Sequence, residues 1–251
     1  KGVNYKHGGL NVNFENESIL YKTNFIEPNQ ADVFIHSWAN DSVKDIENAY
    51  SPKSSCYEEQ KVFKNITIKQ RLMDLKNLVF GKPRELNRLN NIYSRWYSFY
   101  NVILLLKEHE QKENITYDFV MVTRFDMSLL HLINCTDLDK NKFYVADWIG
   151  FKKSDGSLVN EAESFMSKGQ SIEYNRGYPY DDEGLLDFWF ISSSDLIERF
   201  SYIYNNLDKY IMECGMSNHK IALQRIKDMD ILSNLSAKYC SFKDFCLTRW
   251  L

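Results

Sequence analysis

The chain has 251 residues and a formal net charge of −3, and hydrophobic residues make up 44% of it. Its length fits one α/β domain, residues 1–251, with a core of substantial size. Its 10 Gly and 4 Pro exclude collagen-like and low-complexity disordered chains. Because Lys and Arg are dispersed along a slightly acidic chain, we expect no nucleic-acid partner.

The cysteines and the hydropathy pattern indicate the compartment. The five Cys form no CxxC pair and show no metal-ligand spacing with His, so we expect free thiols in a reducing compartment. No apolar run reaches the roughly 18 residues that a membrane-spanning helix needs, and no signal peptide is recognisable. The sequence predicts a cytoplasmic protein without a membrane span and leaves peripheral membrane attachment open.

The first clear element is a short apolar run of β-forming residues, Asp32–Trp38, followed by a polar turn. This pattern predicts a buried parallel strand. Residues 51–90 are polar and irregular, with one helix predicted from Ile68 to Phe80. The breaker Gly81-Lys82-Pro83 ends that helix.

The strongest helical signal precedes the most apolar strand. Apolar residues recur at helical spacing from Ile92 to Leu106, and Lys107–Lys112 supplies a charged end. This pattern predicts a long amphipathic helix that packs on a sheet. After a turn, Tyr117–Thr123 reads as a fully buried strand. Helix, turn and strand in this order form half of a βαβ unit.

Two more strands are predicted in the second half of the chain, at Phe143–Trp148 and Asp187–Ser192. The polar stretch 149–180 between them has scattered aromatic residues and reads as a long loop or lid. Loops of that length in compact domains are usually functional or mobile.

Two helices follow. The first is predicted to begin at a capping box formed by Asp195 and Glu198. The second is predicted over 218–227, with Ser217 as its cap. The last 25 residues carry no clear pattern.

The residues that carry chemistry concentrate where the most buried strand ends. Thr123-Arg124-Phe125-Asp126 follows that strand, and open parallel sheets bind ligands at the carboxyl ends of their strands. In an extended chain Arg124 and Asp126 point to one side and Phe125 to the other. A carboxylate can hold Mg²⁺ or Mn²⁺ on phosphate oxygens, and a guanidinium can bind phosphate directly. The alternative is an Arg124–Asp126 salt bridge that closes the strand.

Two histidines extend this candidate donor site. His36 ends the first strand and is a candidate contact for a phosphate or a sugar, while His219 is a candidate metal ligand or phosphate contact. The alternative for each is a structural role in the core or at its edge. Trp38, Trp148 and Trp189 fit sugar stacking, but core packing is the better default where aromatic residues are so abundant.

Carboxylates near the strand Asp187–Ser192 are candidates for acid–base catalysis. An inverting sugar transfer needs a base that removes the acceptor hydroxyl proton as the oxygen attacks the anomeric carbon. Asp187 is the first candidate, followed by Asp182 and Glu183. The alternative is a solvated acidic turn.

At these residues the sequence resembles a known family. Tyr117–Asp126, preceded by the helix with Trp96-Tyr97, resembles the region around the metal-binding motif of GT-A glycosyltransferases, in particular bacterial and viral polysaccharide glycosyltransferases that carry Arg-x-Asp there. Asp32–Trp38 resembles their earlier strand. Asp187–Phe190, followed by Ser192–Ser194, resembles their later strand and turn near the acceptor. The resemblance covers roughly residues 30 to 227 and rests on short motifs.

The resemblance implies an α/β, GT-A-like fold, with a mostly parallel central sheet flanked by helices, whose first strand is not evident here. It also implies a nucleotide-diphosphate sugar donor, a divalent Mn²⁺ or Mg²⁺ ion, and an oligosaccharide or glycan acceptor. Asp126 matches the last Asp of the Asp-x-Asp motif, and Thr123 begins the same candidate donor segment. Arg124 stands where the first Asp would be, and a guanidinium can take over part of the cation's role. His219 falls where such proteins often place a polar residue by the donor.

Two other classes of protein stay open. A nucleotidyl- or phosphotransferase would use the same carboxylate and metal, but the sequence has no Gly-rich phosphate loop. A non-catalytic domain of the same fold would bind a carbohydrate or a partner protein and would use Arg124 and Asp126 as a structural pair. The function we expect is sugar transfer in surface polysaccharide or glycan synthesis.

Overall fold

The computed structural model describes most of the chain: residues 4–7, 10–38, 40–63, 84–147, 149–152, 158–159, 174–175, 180, 184–240 and 244–247. The predicted helix Ile68–Phe80 lies outside the described residues, and so does Trp148. The same holds for two of the candidate catalytic carboxylates, Asp182 and Glu183.

The described residues contain thirteen strands and seven α-helices. The strands β1 to β13 are Asn4–His7, Leu10–Asn13, Phe34–Ser37, Ser54–Tyr57, Val120–Val122, Met127–Leu129, Phe143–Asp147, Ile149–Lys152, Leu158–Val159, Tyr174–Asn175, Leu186–Ser192, Leu235–Cys240 and Phe245–Leu247. The helices α1 to α7 are Phe14–Tyr21, Glu27–Asn29, Val43–Tyr50, Arg84–Glu113, Ser194–Ser201, Leu207–Cys214 and Asn218–Asp228.

The central sheet has the strand order β12-β7-β11-β5. β12 pairs with β7 in parallel, but β11 runs antiparallel to both of its neighbours, β7 and β5. The fold is mixed α/β, and the predicted mostly parallel sheet is not confirmed. Every residue of β7 and β11 is buried. A continuous buried run fits either strand direction, so the apolar pattern could not reveal that β11 is antiparallel.

Both faces of this sheet are covered. Phe143 and Val145 of β7 face one hydrophobic core, and the alternating Tyr144 and Ala146 face the other. The long helix α4 packs on the first core, as the predicted amphipathic pattern requires, together with α5 and α7; their fully buried side chains include Trp96, Phe200, Ile221 and Ile226. The second core is closed by α1, α3 and β6, with Tyr21, Ile46, Met127 and Leu129.

The predicted first strand is confirmed in a separate parallel pair. β3 pairs with β4 in the register His36↔Cys56, and both strands contact α4. β4 lies in the stretch 51–90, which was predicted to be irregular. Its sequence, Ser-Ser-Cys-Tyr, has no apolar run or clean alternation, and each of its residues is only partly buried, so its pattern gave no signal.

Several other expectations have definite outcomes. The predicted loop 149–180 contains three short strands, β8, β9 and β10, paired antiparallel. The predicted capping box is wrong, because α5 begins one residue before Asp195 and its N-cap Ser193 makes no side-chain capping bond. Ser217 does cap α7, accepting a bond from the backbone N–H of Lys220. The last 25 residues, which show no clear sequence pattern, supply β12 to the central sheet.

The four cysteines whose side chains are described are free thiols: Cys56, Cys135, Cys214 and Cys246. Over the described ranges, no helix combines the length and the apolar character needed to cross a bilayer.

Candidate functional site

A cleft of about 1130 Å³ lies against α4 and the segment 116–126, which contains β5. Its lining also includes β3 and much of the chain from Tyr21 to Val33. Four of the predicted site residues line it: His36, Thr123, Arg124 and Asp126. Its volume is slightly above the usual range for small-molecule sites, about 300–1,000 Å³.

Arg124 and Asp126 form a bidentate pair at the carboxyl side of β5. Arg124 Nε donates to Asp126 Oδ1 at 2.7 Å, and Arg124 Nη2 donates to Asp126 Oδ2 at 2.6 Å. Phe125 packs instead against the Tyr50 ring, with 5.5 Å between the ring centroids. Arg124 and Asp126 therefore share a side, as predicted, but the chain turns at Phe125 and Asp126 instead of staying extended, and Phe125 also lines the cleft. The sequence left open whether Arg124 and Asp126 face the cleft or form a salt bridge. In the structure they do both.

Tyr21 holds the backbone of this segment. Its buried hydroxyl donates to the carbonyl of Arg124 at 2.9 Å and lies 2.9 Å from Thr123 Oγ1. Tyr21 ends α1, about 100 residues earlier in the chain, so no local pattern could indicate this contact. The bonds fix the backbone from which the guanidinium of Arg124 projects.

A second guanidinium, that of Arg95 on α4, lines the same cleft. Its Nε donates to Asp187 Oδ2 at 2.9 Å, and its Nη2 donates to the Asp187 carbonyl. Asp187 lies at the start of β11, where its side chain is 7% exposed. Arg95 was not among the predicted site residues. The available signal was a cation at helical spacing from Ile92 and Phe99, on a face that is otherwise apolar.

His219 completes this arginine cluster, which we define as Arg95, Arg124, Asp126, Asp187 and His219. His219 Nδ1 lies 3.2 Å from Asp187 Oδ1 and 2.9 Å from the carbonyl oxygen of Leu185. Both oxygens of the Asp187 carboxylate therefore face a nitrogen. Asp187 and His219 are not part of the cleft lining but join it through Arg95.

The pKa shifts show how closely these charges interact. Burial would raise the pKa of Asp187, but Arg95, His219 and Arg124 together hold it below its ordinary value. Burial lowers the pKa of Arg95, and the positive charge of Arg124 lowers it further. The negative charge of Asp187 raises this pKa but does not offset the two other effects. Burial opposes the charge on Arg124, yet Asp126 and Asp187 keep its pKa raised. Two mutually repelling guanidinium groups thus lie beside one cleft, each anchored by a carboxylate.

The predicted metal ligands do not fit Mn²⁺ or Mg²⁺ in this arrangement. Both carboxylate oxygens of Asp126 accept from Arg124, and His219 Nδ1 is engaged by Leu185 and Asp187. A hard divalent cation needs several oxygen ligands around one point. Within the described part of the chain, neither residue belongs to a group of three potential ligands close enough to share an ion.

His36 belongs to a different group, the histidine cluster, which we define as His36, Cys56 and Glu58. His36 Nε2 lies 2.9 Å from Glu58 Oε2, and its Nδ1 lies 3.1 Å from Ser98 Oγ on α4. Burial lowers the pKa of His36, and the hydrogen bond that His36 Nε2 makes to the Glu58 carboxylate only partly offsets this. The imidazole is therefore neutral near pH 7.

Trp38 and Tyr97 cover the rim of the histidine cluster. Their rings stack with centroids 5.4 Å apart, and the His36 ring meets both edge-on. Trp38 lines the cleft and is only partly buried, so its ring is available to a ligand as well as to packing. Trp189, by contrast, is fully buried, which is the core role the sequence favoured.

Comparisons with family models and curated proteins assign no family to this chain, so a functional assignment has to rest on the chain's own residues. No protein-family model matches the sequence, and no curated protein matches it. The resemblance to GT-A glycosyltransferases is therefore a hypothesis that has to be supported by the cleft and the residues around it.

Proposed function

We propose that this protein is a glycosyltransferase that moves a sugar from a nucleotide-diphosphate sugar to a carbohydrate acceptor, in surface polysaccharide or glycan synthesis. The observation that carries the proposal is the pair of guanidinium groups, Arg95 and Arg124, on one cleft of about 1130 Å³. The diphosphate is the most strongly charged part of such a donor. Arginine is the side chain best suited to bind it, because its planar donors match phosphate oxygens.

The anchoring carboxylates leave one edge of each guanidinium for a ligand. In both arginines Nε and Nη2 donate to the anchoring aspartate residue. Among the described residues, none accepts a hydrogen bond from Nη1 of Arg95 or Arg124. A guanidinium that is already oriented loses little freedom when it binds phosphate, so its charge is preorganised.

The same groups would assist the chemical step. The acceptor oxygen forms a bond to the anomeric carbon, and the bond from that carbon to the donor phosphate oxygen breaks. The nucleoside diphosphate leaves with the bonding electron pair, and its new negative charge develops next to Arg95 and Arg124. Fixed positive groups at the site of developing charge stabilise a transition state more than they stabilise the ground state.

In an inverting transfer the acceptor proton needs a base. Asp187 suits this role poorly, because both of its oxygens face cationic or N–H groups and its pKa is lowered. We assign Asp187 the positioning of Arg95 and His219. Asp182 and Glu183 are then the proposed candidates for the base. In this proposal the two arginines, and not Mn²⁺ or Mg²⁺, compensate the charge of the leaving group.

The non-catalytic reading has one specific observation in its favour. Arg124 and Asp126 satisfy each other in a bidentate pair, which would stabilise a binding domain equally well. Such a domain would take up a carbohydrate or a nucleotide sugar without releasing a nucleoside diphosphate.

A thermal-shift screen followed by a release assay tests the proposal. UDP-, GDP- and CDP-sugars are added with Mn²⁺ or with EDTA, and we expect one of them to raise the melting temperature under both conditions. Release of nucleoside diphosphate from that donor should then fall in Arg95→Lys and Arg124→Lys. The exposed Arg199→Lys serves as the matched control.

The outcomes separate the readings. No stabilisation by any nucleotide sugar, with or without Mn²⁺, would make the transferase proposal wrong. Stabilisation without release, with and without simple sugar acceptors, would support the non-catalytic domain. Stabilisation only in the presence of Mn²⁺ would contradict the assignment of charge compensation to the arginines.

A further inference from the structure

The histidine cluster brings three different metal-ligand types together. His36 and Cys56 are register partners on the parallel strands β3 and β4, and Glu58 follows β4 by one residue. The imidazole nitrogen, the thiol sulfur and a carboxylate oxygen all lie within 4.8 Å of one another. Across the described ranges, no other group of three or more His, Cys, Asp and Glu side chains meets this condition.

The neighbours of the cluster orient its donor atoms toward one another. Ser98 holds His36 Nδ1, which leaves Nε2 directed at Glu58. Lys61 and Tyr97 donate to Glu58 Oε1 at 2.5 Å and 3.3 Å, and Oε2 is the oxygen that faces His36. Metal-binding histidines and carboxylates characteristically have such a second hydrogen-bond partner, which fixes the orientation of the ligand.

The backbone of the cluster is also fixed. The N–H of Glu58 donates to the carbonyl of Ser37 at 3.0 Å, which extends the β3–β4 ladder past the cysteine. α4 contacts both strands and supplies Ser98 and Tyr97. Ligands held by paired strands and a long helix need little rearrangement to bind an ion, so little conformational entropy is lost on binding.

We infer that His36 Nε2, Cys56 Sγ and Glu58 Oε2 form a site for Zn²⁺ or a similar first-row cation, with a fourth position for water or a ligand in the cleft. The nitrogen–sulfur–oxygen donor set suits Zn²⁺ and disfavours Mg²⁺, which takes oxygen ligands. The site is independent of the proposed sugar transfer.

Cobalt substitution tests this site directly. The reduced full chain, stripped with a chelator, is titrated with Co²⁺, a spectroscopic substitute for Zn²⁺. We expect a near-ultraviolet thiolate-to-cobalt charge-transfer band and visible bands of tetrahedral Co²⁺, both abolished by excess Zn²⁺. Cys56→Ser should lose the charge-transfer band. The matched control Cys214→Ser should keep it, because Cys214 is a partly buried thiol elsewhere in the fold.

A second measurement needs no variant. Stoichiometric Zn²⁺ should slow the alkylation of Cys56 in the wild-type chain, measured by peptide mass spectrometry, while Cys214 and Cys135 react at unchanged rates. The inference is overturned if the wild-type chain shows no thiolate–cobalt band, or if Cys56→Ser retains it. Equal alkylation of Cys56 with and without Zn²⁺ would also overturn the inference. The cluster would then be a His36–Glu58 hydrogen bond with a thiol nearby that takes no part in metal binding.

Discussion

The arginine cluster and the histidine cluster lie beside the same cleft, but they manage charge in opposite ways. The arginine cluster supplies its own cations, and each guanidinium is paired with a carboxylate that is mostly or partly buried. In the histidine cluster the imidazole is neutral, and the one carboxylate is balanced by Lys61, which is 43% exposed. The first arrangement suits an incoming anion, and the second suits an incoming cation.

This difference arises from the elements that supply the side chains. α4 carries Arg95 and Ser98 on one face, three residues apart, so one helix contributes to both clusters. The opposing residues come from the end of β5 and the start of β11 in one case and from β3–β4 in the other. The comparison predicts that the arginine cluster is sensitive to loss of charge and that the histidine cluster is sensitive to loss of ligand geometry.

The largest effect is expected from Arg95→Met. It leaves the buried carboxylate of Asp187 without its guanidinium, and breaking a buried pair in this way costs about 3–5 kcal/mol. The free energy of unfolding, measured by urea denaturation, should fall by that amount. Arg95→Met combined with Asp187→Asn should recover much of the loss, because the unpaired charge is gone. Equal stability of the single and double variants would show that the Asp187 charge is not buried as described.

Arg124→Lys tests the binding role of the second guanidinium. Lysine keeps the positive charge but cannot make the bidentate pair with Asp126 and the phosphate contact together. We expect nucleoside-diphosphate affinity, measured by calorimetry, to fall about tenfold, which corresponds to about 1.4 kcal/mol. The exposed Arg199→Lys should leave affinity unchanged. Unchanged affinity in Arg124→Lys would limit Arg124 to a structural pair.

The two clusters also differ in how far the sequence could predict them. The pairing of Arg124 with Asp126 joins residues only two positions apart, so it is a local property of the segment. The pairing of Arg95 with Asp187 joins residues 92 positions apart and depends on how α4 lies against β11. No local pattern contains that information. The same holds for Cys56, because its strand β4 has no apolar run and gains its register only by pairing with β3.

The fold also has features that the sequence could predict and features that it could not. The burial of β7 and β11 and the amphipathic face of α4 were predictable, since hydrophobic periodicity determines which residues are inside. The antiparallel direction of β11 was not, because its continuous buried run Leu186–Ser192 fits either direction equally well. Direction depends on the connections between strands, and those cross stretches whose sequence carries little periodicity.

Tyr21→Phe tests how far the arginine cluster depends on α1. The change removes the hydroxyl that bonds the Arg124 carbonyl and Thr123 but keeps the buried ring. We expect a loss of about 1 kcal/mol in unfolding free energy, measured by urea denaturation. Tyr202→Phe is the control, because its hydroxyl bonds Glu198 at the exposed surface. A loss in Tyr21→Phe no larger than in the control would show that α1 does not hold the segment.

The smallest effect is expected at the histidine cluster in acid. Burial would raise the pKa of Glu58, but Lys61, His36 and Tyr97 lower it from 4.5 to about 2. The pairing therefore adds stability above pH 4.5, and this is lost as the pH falls toward 2. Since Lys61 is substantially exposed, we expect a contribution below about 1 kcal/mol. The melting-temperature difference between wild type and Glu58→Gln should shrink across this range, whereas Glu59→Gln, an exposed neighbour, should show no such change. A melting-temperature difference that stays constant with pH would mean that the Glu58 carboxylate has no charge partners in solution. The contrast in charge between the two clusters would then depend only on Arg95 and Arg124.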